Sequence, residues 1–193
     1  MSTAIFEIFR MGKHNGIGVN AKGFWSASQL DQIAQFYNQA IKPAPLVIGH
    51  PEDDKPEYGT VKRLINHEGA LFAEAEIDRT LIQRIKNGDV SGISASFYPK
   101  GNDQNPIKQL GYYLKHVGFL EQGKQNPAVK GMLDPKISLE YLSYSEINTD
   151  FILFCEDEEN LSYAQKYHRK VAYFSNVLNV SYVKAVQIIE KMS

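Results

Sequence analysis

Two kinds of hydrophobic spacing alternate along the first two thirds of the chain. Ala4-Ile5-Phe6-Glu7-Ile8-Phe9-Arg10 is β-branched and aromatic and ends near Gly12, which predicts a first strand. The Gly- and Asn-rich stretch Lys13 to Gly23 reads as a loop, with His14 solvated in it. Ser26 and Gln29 then have the spacing of a capping box, and Leu30, Ile33, Ala34 and Tyr37 follow at helical intervals. A helix over 27–40 is predicted, closed off by Pro43 and Pro45. Leu46-Val47-Ile48 is a short buried strand that stops at Gly49-His50-Pro51, and Glu52 to Pro56 is a polar loop. Tyr58 to Ile65 and Leu71 to Ile77 predict two strands joined by a turn at Asn66-His67-Glu68-Gly69, with His67 facing solvent. Asp78 caps a helix carrying Leu81, Ile82 and Ile85, which stops at Asn87-Gly88.

Asp89 to Tyr98 follows as a strand entered through a Gly-containing bend. Period-two alternation places Ile93, Ala95 and Phe97 on one face and Ser94 and Ser96 on the other. Serines on the solvent side of a half-buried strand are one explanation; a presented nucleophile is another. Pro99 to Gln109 is a polar loop, expected to be mobile, and Leu110 to Leu120 is a further strand with His116 among apolar neighbours. The stretch 123–131 reads as a loop. After Pro135 the character changes: Ile137 to Phe154 is apolar but interrupted, Glu156 to Glu159 is acidic, and 161–192 is helical with a break near Asn179 and a second cap at Ser181. The chain therefore divides into a domain over 1–135 and a largely helical extension over 136–193, packing on the domain or on a partner.

Composition narrows the function classes. With 193 residues, 43% apolar and 22% charged, the chain is long enough to bury a sizeable core. A net charge of −1 leaves no footprint for nucleic acid or an anionic membrane surface. Cys155 is alone, so no intrachain disulfide is expected, in keeping with a reducing compartment. Neither a signal peptide nor an apolar run of membrane-spanning length is read, so the expectation is a soluble, intracellular protein.

A serine becomes a nucleophile when a neighbouring base takes its proton and a third group orients that base. Ser94 on a strand face, His50 at a strand end and His116 within a strand are compatible with such a triple. A buried, hydrogen-bonded His116 of purely structural role is compatible too. A metal site built from His50, Asp53, Asp54 and His116 is the competing chemistry, although no His-x-x-x-His spacing supports it. The phosphate-cradling Gly-rich loop and CxxC are missing, and Gly92-Ile93-Ser94-Ala95-Ser96 departs from G-x-S-x-G at its last position. No cofactor is expected.

Several blocks together resemble the capsid maturation proteases of Mu-like tailed phages. They are Ala44-Pro45-Leu46-Val47-Ile48-Gly49-His50-Pro51 with Pro56-Glu57-Tyr58-Gly59-Thr60-Val61, then Ser94-Ala95-Ser96-Phe97-Tyr98, then Tyr113 to Leu120, then Asn126-Pro127-Ala128-Val129-Lys130-Gly131. The matches run in the family's order from about Phe6 to Leu133. These prohead proteases look related to the herpesvirus assemblins, whose catalytic group is Ser-His-His. The resemblance implies an α+β fold: a small closed or nearly closed β-barrel ringed by helices, with a helical C-terminal tail. It implies Ser94 as nucleophile, His50 as general base and His116 as third member. It further implies a serine endopeptidase that processes phage scaffold and major capsid proteins, and itself, inside the assembling procapsid in the host cytoplasm, as a possible homo-oligomer. The other reading is a catalytically inactive assembly protein that keeps the protease fold. One departure is the loop after Leu120, Glu121-Gln122-Gly123-Lys124-Gln125, which leaves the oxyanion donors unassigned. About 60 residues follow Leu133, where relatives often carry a long scaffolding segment; a cleaved form or a short family member is implied.

Overall fold

The structure, a computed structural model, describes residues 2–16, 22–124 and 180–192, with scattered positions between 129 and 178. The expected segments over 137–159 lie outside the described residues, as does the Asn126 to Gly131 block apart from Val129. Eight strands are described: β1 (Ser2–Arg10), β2 (Gly12–Asn15), β3 (Lys22–Trp25), β4 (Leu46–Ile48), β5 (Gly59–His67), β6 (Ala70–Ile77), β7 (Val90–Tyr98) and β8 (Tyr113–Glu121). Three helices accompany them: α1 (Ala27–Phe36), α2 (Arg79–Lys86) and α3 (Tyr182–Met192). The fold is thus mixed α+β.

The strands form a three-stranded antiparallel sheet in the order β1-β6-β5, a β2-β3 pair, and a mixed sheet in the order β4-β8-β7. The two larger sheets are laced together beside β4, where Val61 donates to the Ala44 carbonyl at 2.9 Å and Tyr58 to that of Leu46 at 2.8 Å. Of the expected closed or nearly closed barrel, the closed form is not found among the described residues. Its closure would need β1 to pair with β7, and at that seam both strands carry a register irregularity, between Glu7 and Phe9 and between Ser96 and Phe97. The Phe9 and Phe97 rings meet edge to face there, with centroids 5.3 Å apart, so side chains rather than backbone bonds fill the seam.

One core lies between the two larger sheets. Ala4, Phe6 and Ile8 of β1 meet Ile93 of β7 and Val117 and Phe119 of β8, and α1 and α2 add Leu30, Ile33, Leu81 and Ile82. Phe6 and Phe119 make an edge-on pair at 5.1 Å across it. The opposite face of the β1-β6-β5 sheet, Ile5, Ile65 and Phe72, is covered by Val171, Phe174, Leu178, Ala185, Ile188 and Ile189 from the C-terminal region. Alternation explains the split: Ile5 points away from Phe6, so a β1 buried on both faces needs a second layer. α3 starts at Ser181, whose Oγ accepts from Lys184 N at 3.3 Å, as the capping reading expected.

Several local expectations are corrected. Lys13 to Gly23 is not simply loop, because β2 and β3 pair through it, anchored by Trp25, which packs on Phe9 at 5.0 Å and Tyr112 at 4.7 Å. His14 is held edge-on to Phe9, with Nε2 2.7 Å from the Arg10 carbonyl, rather than left in solvent. α1 ends at Phe36, short of residue 40, because tertiary bonds take over: Tyr37 OH donates to the Val61 carbonyl at 2.7 Å, and Tyr113 OH to that of Asn38 at 2.7 Å. The 99–109 loop is organised by Asn105, 1% exposed, whose Nδ2 donates to the Gly111 carbonyl at 2.9 Å and whose Oδ1 accepts from Ile107 N at 3.0 Å.

His67 is the largest local correction. β5 runs through it, Glu68-Gly69 alone makes the turn, and its ring is buried with neither nitrogen hydrogen-bonded among the described residues. Burial holds its pKa below the ordinary histidine value. His67→Leu should therefore leave the protein at least as stable, by about 1 kcal/mol in its favour, since an unsatisfied polar group is removed. Thermal unfolding at pH 8 reads this; a clear loss of stability would show that the ring has a partner.

Candidate active site

β4 and β8 pair in parallel, Leu46 with Val117, Val47 with Gly118 and Ile48 with Phe119. Beyond β4, Gly49 donates to the Phe119 carbonyl at 2.9 Å and then adopts φ of +67°, a left-handed conformation that glycine adopts without steric cost. That bend turns the chain back across β8. A Cβ placed on Gly118 would lie 2.1 Å from the Gly49 carbonyl oxygen and 3.2 Å from His50 Cε1. His50 is therefore laid over β8 at the one residue without a side chain.

On the other side of β8, β7 pairs antiparallel, with Ser94 opposite Gly118 and Ser96 opposite His116. Opposed residues in such a pair project to the same face, with Cβ atoms about 5 Å apart. Ser94, Ser96 and His116 thus share the face of β8 on which His50 lies. Ile93, Ala95 and Phe97 pack on the core, the face the alternation predicts for them, and Ser94 and Ser96 are half-buried. No hydrogen bond links Ser94 Oγ to His50 among the described residues; register sets the serine opposite Gly118, over which the imidazole lies.

The two histidines do meet. His50 Nδ1 lies 2.7 Å from His116 Nε2, with ring centroids 5.0 Å apart. His116, 2% exposed, has its Nδ1 2.5 Å from Asp54 Oδ1, and Lys115 Nζ reaches the same Asp54 oxygen at 3.2 Å. Asp54 sits at φ +59°, a conformation that aspartate tolerates better than most residues, which aims its carboxylate back at β8. Burial lowers the pKa of both imidazoles; for His50 the neighbouring His116 and Lys115 lower it further, whereas for His116 the Asp54 hydrogen bond and charge oppose burial. A neutral His50 backed by His116 is the arrangement a general base requires.

Of the residues singled out in the sequence, His50 and His116 are in direct contact, and Ser94 lies across the strand pair from Gly118. Asp54 was considered only as a metal ligand or loop residue, and it is instead the next member of the chain His50–His116–Asp54. A pointer to it was its carboxylate four residues after His50, but nothing in the spacing selects it over Glu52 or Asp53. Asp53 is turned outward, its Oδ1 capping Lys55 N at 3.1 Å. The metal reading fares poorly on geometry: the side chains bond to one another instead of converging on a common point. No group of three or more His, Cys, Asp or Glu side chains suited to a metal is found among the described residues.

No family model and no curated protein matches the chain. Among solved structures it is similar to proteases of Kaposi's sarcoma-associated herpesvirus at low identity. The protease bound to a hexapeptide phosphonate inhibitor gives a TM-score of 0.44 at 10% identity, over 99% of this chain and 93% of that one. The protease bound to a dimer disruptor gives 0.41 at 13% identity, over 86% and 85%. The protease in complex with an allosteric inhibitor gives 0.38 at 12% identity, over 66% and 75%.

Proposed function

We propose that the chain is a serine endopeptidase in which Ser94 attacks the scissile carbonyl and His50 accepts its proton and returns it to the leaving amine. His116 supports His50. The observation that carries this reading is the 2.7 Å contact between His50 Nδ1 and His116 Nε2, on the strand face that Ser94 shares. It turns the other His50 nitrogen, Nε2, into the free working edge of the ring. The blocks around His50, Ser94 and His116 that resemble the Mu-like phage enzymes extend the proposal to substrates: scaffold and major capsid proteins, and the protease itself. The setting would be the assembling procapsid in the host cytoplasm, with the protease as a homo-oligomer and residues 136–193 as an extension of the 1–135 domain.

A fluorophosphonate probe tests the chemistry directly. Labelling that maps to Ser94 by peptide mass spectrometry is the expected result. No labelling in assembled particles would favour the inactive assembly protein with a protease fold.

The pH dependence follows from the site's electrostatics. His50 has a pKa below the ordinary 6.5, so it stays a neutral base at pH values where an exposed histidine is already charged. The acid limb of kcat/KM is expected to have its midpoint below pH 6.5. Because both site imidazoles titrate lower in the folded chain than unfolded, the stability they contribute is present above pH 6.5 and is lost as pH falls through their folded values. A limb centred above pH 6.5 would contradict a buried base.

A further inference from the structure

We infer that Asp54, gripped by Lys115, is the positioning residue that sets the direction of every proton in the His50–His116 pair, so that His50 Nε2 is left bare. This rests on the endopeptidase reading above. The argument is one of donors and acceptors. A carboxylate only accepts, so the His116 nitrogen facing Asp54, Nδ1, must carry the hydrogen. A neutral imidazole has one N–H, so His116 Nε2 is then an acceptor. The partner at 2.7 Å, His50 Nδ1, must donate to it. His50 thereby has its single hydrogen on Nδ1, and its Nε2 lone pair faces outward as a base.

Without Asp54 the same two rings satisfy each other equally well in the reverse order. His116 Nε2–H would donate to His50 Nδ1, and His50 would carry its proton on Nε2. That ring can take no proton from a serine. The dyad alone is ambivalent; the carboxylate makes it directional. The geometry supports a dedicated role. His116 is 2% exposed and in contact at both nitrogens, so neither bond exchanges freely with water. Lys115 points its ammonium at Asp54 Oδ1 at 3.2 Å and at the Glu52 carbonyl at 3.4 Å, tying the 52–54 segment to the strand that carries His116. When His50 becomes an imidazolium, its Nδ1–H still donates to His116, and the Asp54 charge lies one ring beyond to offset the new positive charge.

The direct test is nitrogen NMR of the full chain labelled with 15N at histidine, at a pH above 8 where both rings are neutral. Expected in the wild-type protein are Nδ1–H tautomers at both His50 and His116. In Asp54→Asn, whose amide can donate as well as accept, His116 and His50 are expected to show mixed or reversed tautomers. kcat should fall about 10²-fold there with KM little changed. Asp54→Glu should restore the tautomers and part of the rate. Lys115→Met, which leaves the carboxylate in place, should shift the populations less and raise the midpoint of the acid limb. Unchanged tautomers in a folded Asp54→Asn, or an Nε2–H at His50 in the wild type, would overturn the inference. The tautomer readout needs no activity: wild-type tautomers as expected without fluorophosphonate labelling would remove the protease reading and keep the directional relay.

Discussion

Ser94→Ala is expected to abolish processing of the proposed capsid substrate, with a drop of at least about 10³-fold in rate. Ser91→Ala and Ser96→Ala should both keep measurable activity. The three serines differ in what stands opposite them. Ser91 is exposed in the bend at the start of β7. Ser96 pairs with His116, whose two ring nitrogens are already engaged by His50 and Asp54. Ser94 pairs with Gly118, and the space above Gly118 is where the His50 ring lies, with Cε1 3.2 Å from the point a Cβ would occupy. Of the three hydroxyls, Ser94's is the one whose register sets it opposite the residue over which the His50 ring lies. A gel assay of the capsid substrate reads the loss, and thermal unfolding should show little change, because a half-buried hydroxyl on a strand is exchanged for a methyl. Full activity in Ser94→Ala would remove the assignment.

Gly118→Ala is expected to do nearly as much damage by a different route. The added methyl would sit 2.1 Å from the Gly49 carbonyl oxygen and 3.2 Å from both Gly49 C and His50 Cε1. Two of these atoms are backbone held by the β4–β8 pairing, so relief requires the chain beyond Ile48 to lift away. The cost in stability is about 1–3 kcal/mol, at the upper end for a backbone clash. The larger effect is on activity: lifting Gly49 carries His50 with it, and a displacement near 1 Å costs about 10²-fold in rate. Gly111→Ala is the control, since its nearest neighbours are side-chain ring atoms of the half-buried Phe36 at 3.3 and 3.4 Å rather than backbone. It should unfold and react much like the parent. A Gly118→Ala protein with unaltered turnover would show that the crossing at Gly49 does not position the base.

The site was legible in its parts and not in its wiring. Alternation alone placed Ser94 and Ser96 on one face, and a short apolar run ending in Gly49-His50 located the strand end, because strand period and glycine stops are local properties. That His50 touches His116 is a long-range fact about parallel register. The sequence could supply it only through resemblance. Asp54 was missed for a related reason: Glu52, Asp53 and Asp54 look alike in a polar loop, and a left-handed turn at residue 54 selects the last of them. His67 was misplaced because Asn66-His67-Glu68-Gly69 has turn composition throughout, whereas the two-residue turn needs only Glu68 and Gly69. Two of the charges that act on His67, Lys184 and Lys191 of α3, lie more than 100 residues later in the chain. Full closure of the barrel stops at a seam of two irregularities and two aromatic rings, which no hydropathy pattern announces.

The parallel pairing of β4 with β8 also sets a clock. Antiparallel neighbours such as β5 and β6 find each other as soon as both have been synthesised, across a two-residue turn. β4 touches the nearby β5 segment only through single bonds such as Tyr58 N to the Leu46 carbonyl, while its ladder lies on Val117 to Phe119, so the dyad joins residues 66 apart in the chain. Loop closure over that distance is paid before any contact returns it, which makes this one of the slower contacts to form. On the proposed reading, a nascent chain that already displays His50 and Ser94 still lacks His116 and the strand that seats His50, and the site is assembled only when β8 arrives.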